Sequence, residues 1–184
     1  DDHGCTIGIE SQDKNDGVEY LFNYQLAEGA SGLANGLAIK FTTEGYEEPT
    51  ITVDYQTGWN LVGLPADVED PYYLSIFPDA IENTLFSFDI TYNPANILVP
   101  GDGYWLMFQE AGTATIVGLP INELTINLDA GWNFISGIAE AVSIYSVIDP
   151  DSIIIPGTLY GFDITYNPES MLVPGKGYWL KAYQ

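Results

Sequence analysis

The sequence predicts an all-β protein of two tandem modules, each a small sheet or sandwich, built from an internal repeat of about 74 residues and preceded by a shorter, degenerate β-segment. Three observations carry this prediction. The chain repeats itself: Gly58-Trp59-Asn60 returns as Gly131-Trp132-Asn133, Phe88 to Pro94 returns unchanged as Phe162 to Pro168, and Leu98 to Leu106 returns as Leu172 to Leu180 with the single change of Asp102 to Lys176. Ordered matches at one spacing are the mark of a repeat architecture. The composition joins 13 Tyr, 8 Phe and 4 Trp to 19 Gly and 11 Pro, which suits short strands linked by tight turns. Finally, apolar residues alternate over short runs, and no helical pattern exceeds about two turns.

Taken in order, residues 1–49 hold an N-terminal strand and a partial copy of the repeat, in which Leu21 to Tyr24 lies on Leu85 to Phe88 and Gly36 to Phe41 falls near Gly103 to Phe108. Module 1 spans 50–121 and module 2 spans 122–184. Ile51 to Tyr55 alternates, as does Thr125 to Leu128, so each module opens with a strand. A Gly-containing turn leads into a second strand, Trp59 to Leu64 and Trp132 to Ile138. Pro71 to Phe77 and its counterpart Val142 to Ile148 read as one or two helical turns. Leu85 to Tyr92 and Leu159 to Tyr166 read as a third strand, ended by Asn-Pro because proline lacks the ladder donor. Pro-Gly-x-Gly then turns the chain into Tyr104 to Phe108 and Tyr178 to Tyr183. Only a few residues separate Gly118 from Leu124, so the modules are expected to pack together.

The charge narrows the function. There are 26 acidic residues against four lysines and no arginine, a net charge of −22. Phosphate recognition needs cationic side chains, so a nucleic-acid partner is excluded, and an anionic membrane surface repels the chain. No apolar run approaches a membrane span. The plain reading of the charge is solubility in a salty medium. The sharper one is calcium, a hard cation that takes several oxygens; its candidates are Asp67, Glu69 and Asp70, and Asp149 with Asp151, while Asp13 to Glu19 reads as a turn.

Catalysis finds little to work with. The one histidine, His3, lies at a terminus, and the one cysteine, Cys5, has no cysteine or histidine cluster beside it for zinc. Asp89 and Asp163 are repeat equivalents, whereas an active site needs one asymmetric constellation. The chain is therefore read as non-enzymatic. Trp59, Trp105, Trp132 and Trp179 are locked to the repeat and are expected to build each copy's core. The alternative is a platform of exposed aromatic faces that stack on sugars.

The second copy, from Ala130-Gly131-Trp132-Asn133 through Leu172-Val173-Pro174-Gly175-Lys176-Gly177-Tyr178-Trp179-Leu180, resembles the "GWN…PGKGYW" tandem repeats of large secreted bacterial surface proteins, often found near a type IX secretion sorting domain. The resemblance covers about two-thirds of the chain. It implies an extracellular or cell-surface location and other domains of a larger secreted protein as neighbours, and it carries over no catalytic residue. The expected function is a structural or adhesive element; the rival is a carbohydrate-binding module with a glycan partner. Self-association is also expected. The first copy continues past its Gly-Tyr-Trp-Leu strand into Thr113 to Gly118, and no equivalent follows in the second copy. The N-terminal Cys5-Thr6-Ile7-Gly8-Ile9 resembles that segment, with Thr6-Ile7 echoing Thr115-Ile116. A donated strand would pair with the open edge of another copy.

Overall fold

The computed structural model describes residues 4–9, 20–25 and 48–183. The chain divides into two compact units, Asp1–Glu44 and Gly45–Gln184. The described strands of the first unit, β1 (Gly4–Ile9) and β2 (Tyr20–Gln25), form an antiparallel ribbon with Cys5 opposite Tyr24 and Ile9 opposite Tyr20. His3, the Asp13 to Glu19 turn and Gly36 to Phe41 of the partial copy lie outside the described residues.

The second unit holds both full repeats, in antiparallel sheets throughout, so the chain is all-β. Repeat 1 contains β3 (Thr50–Tyr55), β4 (Gly58–Val62), the two-residue β5 (Ala66–Asp67), the single helical turn α1 (Tyr73–Ile76), β6 (Phe86–Asp89), β7 (Thr91–Pro94), β8 (Tyr104–Phe108), β9 (Gly112–Val117) and β10 (Leu119–Pro120). Four strands form a sheet in the order β4-β8-β6-β7, and β3 pairs with β9 along its whole length, from Thr50 opposite Val117 to Tyr55 opposite Gly112. Repeat 2 contains β11 (Gly131–Ser136), β12 (Val142–Ser143), a 3-10 turn over Ile144–Ser146, β13 (Tyr160–Asp163), β14 (Thr165–Pro168), β15 (Met171–Leu172) and β16 (Gly177–Ala182). Its sheet, β11-β16-β13-β14, copies that of repeat 1.

The shared motifs have local physical roles. Gly58 and Gly131 take φ of 88° and 102°, a turn that a side chain would strain. The asparagine two residues on locks that turn. Asn60 Nδ2 donates to the carbonyls of Gln56 and Gly58 at 2.7 and 3.0 Å, and its Oδ1 accepts from the Gln56 amide at 2.9 Å. Asn133 repeats these bonds with Asp129 and Gly131. The tyrosine after Pro-Gly-x-Gly reaches back over its own turn: the Val99 amide donates to Tyr104 Oη at 3.1 Å and the Val173 amide to Tyr178 Oη at 2.9 Å.

Two elements depart from the sequence reading. The strand expected at Thr125 to Leu128 is not formed, because no described strand pairs with that segment. The expected third strand, Leu85 to Tyr92, is split into the hairpin β6–β7, with Ile90 alone between the paired Asp89 and Thr91; Ile164 does the same between β13 and β14. Both isoleucines sit at positive φ, 63° and 64°, and are almost fully exposed. A β-branched residue is strained there, so no glycine or asparagine announces the turn. The asparagine of Thr-Tyr-Asn-Pro fastens the returning strand, Asn93 Nδ2 donating to the Thr91 carbonyl and Asn167 Nδ2 to that of Thr165, each at 2.9 Å.

The two repeats pack on each other with approximate two-fold symmetry. Val62 bridges to Lys176 while Ile135, the counterpart of Val62, bridges to Asp102, the counterpart of Lys176. The Gly63 amide donates to the Gly175 carbonyl at 3.0 Å, and the Ser136 amide to the Gly101 carbonyl at 2.8 Å. Gly63 and Ser136 are themselves counterparts and meet at the axis; a Cβ on Gly63 would lie 2.1 Å from that of Ser136, so only glycine fits. Each Pro-Gly-x-Gly turn lies over the opening segment of the other repeat, Gly175 against Val53 of β3 and Gly101 against Leu124 and Ile126. The one residue that differs in this turn loses part of its hydration in both copies, although Asp102 remains exposed. Burial raises the Asp102 pKa and lowers that of Lys176, whose Nζ donates to the Asp54 carbonyl.

Candidate functional site

Period-two alternation gives each four-stranded sheet two faces. One face of β4 and β8 carries Val62, Tyr104, Leu106 and Phe108 into the core of repeat 1; the other carries Trp59, Leu61 and Trp105 toward repeat 2. The tryptophans therefore do not build each copy's core, as the sequence led one to expect. Trp179 is buried but lies between the repeats with Leu61 and Phe134; Trp105 is half-buried there; Trp59 and Trp132 are 41% and 46% exposed. The reason lies in the Gly-Trp-Asn motif itself. Its asparagine must turn inward to lock the loop, and alternation sends the tryptophan to the opposite face.

Across the two-fold, Phe88 meets Trp179 edge-on at 4.8 Å between centroids, and Phe162 meets Trp105 at 4.7 Å. The symmetry breaks at one position. Phe134 stacks on Trp179 at 4.6 Å and 9°, whereas its counterpart Leu61 stands opposite Trp105. A cleft of about 370 Å³ lies beside Trp105, lined by Trp59, Phe86, Tyr92, Trp105 and Phe162. Trp59 stands perpendicular to Trp105 (6.1 Å, 86°) and tilted against Phe86 (6.0 Å, 56°).

The other asymmetry is an open face on repeat 2. In repeat 1, β9 covers β3 and sends Ala114 and Ile116 into a core that also takes in Val53, Tyr55, Tyr73 and Ile76 from α1, and Phe77 just after it. The counterparts of Ile51, Val53 and Tyr55 are Leu124, Ile126 and Leu128. They alternate with the exposed Thr125, Asn127 and Asp129, as a strand would, but remain half-buried. Among the described residues no strand pairs with this segment. Beside it Ile144, Val147 and Ile154 are also half-covered, Ile148 is 91% exposed, and the turn over Ile144–Ser146 buries nothing, where α1 buries Tyr73 and Ile76. The fully buried core of repeat 2 shrinks to Ile135, Leu159, Leu172, Tyr178 and Leu180.

The carboxylates proposed for calcium do not converge. Among the described residues no three His, Cys, Asp or Glu side chains come together as a metal site. Two of them cap turns instead. Asp70 accepts from the Tyr72 amide at 3.1 Å and Ser75 Oγ at 2.6 Å, which lowers its pKa, while Asp149 accepts from the Ile153 and Ile154 amides at 3.0 and 2.9 Å. Asp67 and Glu69 line a shallow depression with Asp70, and Asp151 is exposed. The residues read as a donor strand, Cys5 to Ile9, lie in β1. Among the described residues no helix is long and apolar enough to cross a membrane. No family model, curated protein or solved structure matches the chain.

Proposed function

We propose that this is a non-enzymatic, extracellular structural protein whose copies assemble head to tail, β1 of one copy adding as a strand beside Leu124 to Leu128 of the next. The observation that carries the reading is the contrast between β3, fully paired by β9, and its counterpart in repeat 2, which has the same inward row of apolar residues and no partner strand among the described residues. An unpaired edge above an apolar row is a template for strand addition, in which main-chain bonds give affinity and pockets for alternate side chains give register.

Repeat 1 supplies the pattern of the guest. In β9 the inward residues are a small one and an isoleucine, Ala114 and Ile116. With Thr6-Ile7 laid on Thr115-Ile116, Cys5 takes the place of Ala114 and Ile7 that of Ile116. Strand β1 is paired with β2 of its own chain, but a two-stranded ribbon is marginal in water, so exchange for a groove with a preformed apolar floor is favourable. The contact is heterologous and does not close on itself, which yields a filament. The extracellular setting rests on the repeat motifs and on an acidic surface that keeps free copies apart until strands pair. A sugar-binding role has weaker support, because the aromatic cleft offers few hydrogen-bonding groups to hydroxyls.

Electron microscopy and sedimentation of the intact chain and of a chain lacking residues 1–10 test this. Filaments are expected from the intact chain alone, and added Gly4–Ile9 peptide should cap them. Equal assembly by the truncated chain, or none by the intact one, refutes it. Protection of the groove by residues that follow Gln184 in a longer chain would assign it to an intramolecular strand instead.

A further inference from the structure

We propose that the cleft between Trp59 and Trp105 of repeat 1 binds a quaternary ammonium group. The walls are five aromatic side chains, and Trp105 makes edge contacts with both Trp59 and Phe162. Ring faces set at steep angles around a small volume present converging negative quadrupoles to one point, which is how aromatic cages hold alkylated ammonium ions.

The second repeat shows what belongs over the tryptophan. Lys181 Nζ lies 5.8 Å from the centroid of Trp132, and Lys181 and Trp132 are directly opposite on β16 and β11. Trp132 thus receives a cation from its own chain. In repeat 1 the same cross-strand position opposite Trp59 is Met107, which has no charge. Phe134 stacks on Trp179 in repeat 2, where repeat 1 has Leu61 opposite Trp105. One tryptophan is therefore supplied with a cation by its own chain, while the other has none opposite it, on a chain whose net charge of −22 draws cations toward it.

The lining selects among cations. The side chains that line it carry as polar atoms only two indole N–H groups, which donate and do not accept, and the Tyr92 hydroxyl, which neighbours that of Tyr166. A primary ammonium would bring three N–H donors to a wall with almost no acceptors, and burying them unpaired is costly. A quaternary ammonium has no N–H to satisfy. A sugar would face the same shortage of partners for its hydroxyls.

The test is tryptophan fluorescence titration with choline, in parallel with its uncharged carbon isostere 3,3-dimethylbutanol, with ethanolamine and with a soluble β-glucan oligosaccharide. A saturable response to choline is expected, at least about tenfold tighter than to the isostere or the primary amine. It should persist at high salt, because a desolvated contact is screened less than surface charge. Trp59→Leu should weaken it about tenfold or more. Met107→Lys should abolish it by supplying the cation internally, with the melting temperature confirming that the variant is folded. Equal binding of the isostere, competition by the oligosaccharide, an unchanged response in both variants, or no response at all would each overturn the proposal. Filament formation is not read in this experiment, so its outcome is separate from that of strand exchange.

Discussion

Repeats 1 and 2 share their turns, their four-stranded sheet and nearly every motif residue, yet one has a closed core and the other an open flank. In repeat 1, β9 lies along β3, and α1 packs its Tyr73 and Ile76 into the same core. In repeat 2 the counterpart of β3 has no described partner, and the counterpart of α1 relaxes to a 3-10 turn with nothing buried. The two differences are one. A helical turn this short has no stability of its own, so it forms where a covering strand gives its apolar residues something to pack on. The motifs thus fix a repeat's frame, and the strand that covers its flank fixes the rest of its core.

The largest expected effect breaks the pairing of the repeats itself. Gly63→Val places side-chain atoms where Ser136 already stands, with no flexible neighbour able to yield. It should cost about 3 kcal/mol or more, and chemical denaturation should show the repeats melting separately. Gly58→Ala, at positive φ but in open space, should cost only about 1 kcal/mol; equal losses for the two variants would mean that close approach at the axis is not what holds the repeats together.

A smaller effect measures the covering strand. Ile116→Ala, at 1% exposure, should destabilise by about 3 kcal/mol, whereas Ile126→Ala, half-exposed on the open flank, should cost about 1 kcal/mol in the free protein. In assembled material the second loss should rise toward the first, because a strand then buries Ile126. Hydrogen exchange would report the same transition as new amide protection from Leu124 to Leu128.

The least effect at neutral pH, and a distinct one in alkali, comes from the tyrosines. Tyr55 is pushed up to about 12, first by its 2.6 Å hydrogen bond to Asp79, and Tyr104 to about 12, first by burial. Their folded pKa values lie above the unfolded value of about 10. The stability they confer is complete below pH 10 and is lost as the pH rises toward 12, since the unfolded chain ionises first. Phenolate absorbance should therefore show late titration coinciding with unfolding. Tyr104→Phe should remove part of the step, and an alkaline midpoint unmoved by that change would contradict the assignment.

Much of this was legible in the chain. The repeat, the Gly-Trp-Asn and Pro-Gly-x-Gly turns and the short strands are local and carry chemical signatures, glycine where φ is positive and asparagine where a loop needs closing. The hairpin at Ile90 was not legible, because it turns on a strained isoleucine rather than a turn residue. Nor were the exposures of Trp59 and Trp132, since alternation says that two faces exist and not which one meets solvent. The acidic clusters looked like ligand sets because sequence counts carboxylates but does not show that Asp70 and Asp149 are already engaged by nearby amides.

By itself, then, the sequence determined the all-β class, the repeat and its turns, which depend on a residue and its nearest neighbours along the chain. Tertiary structure alone decided that the repeats pair about a two-fold, that aromatic side chains of both repeats line one cleft, and that one flank is covered by a strand while the other, among the described residues, is not. Those outcomes depend on which surfaces meet across many residues of chain, where one strand decides whether a flank is covered.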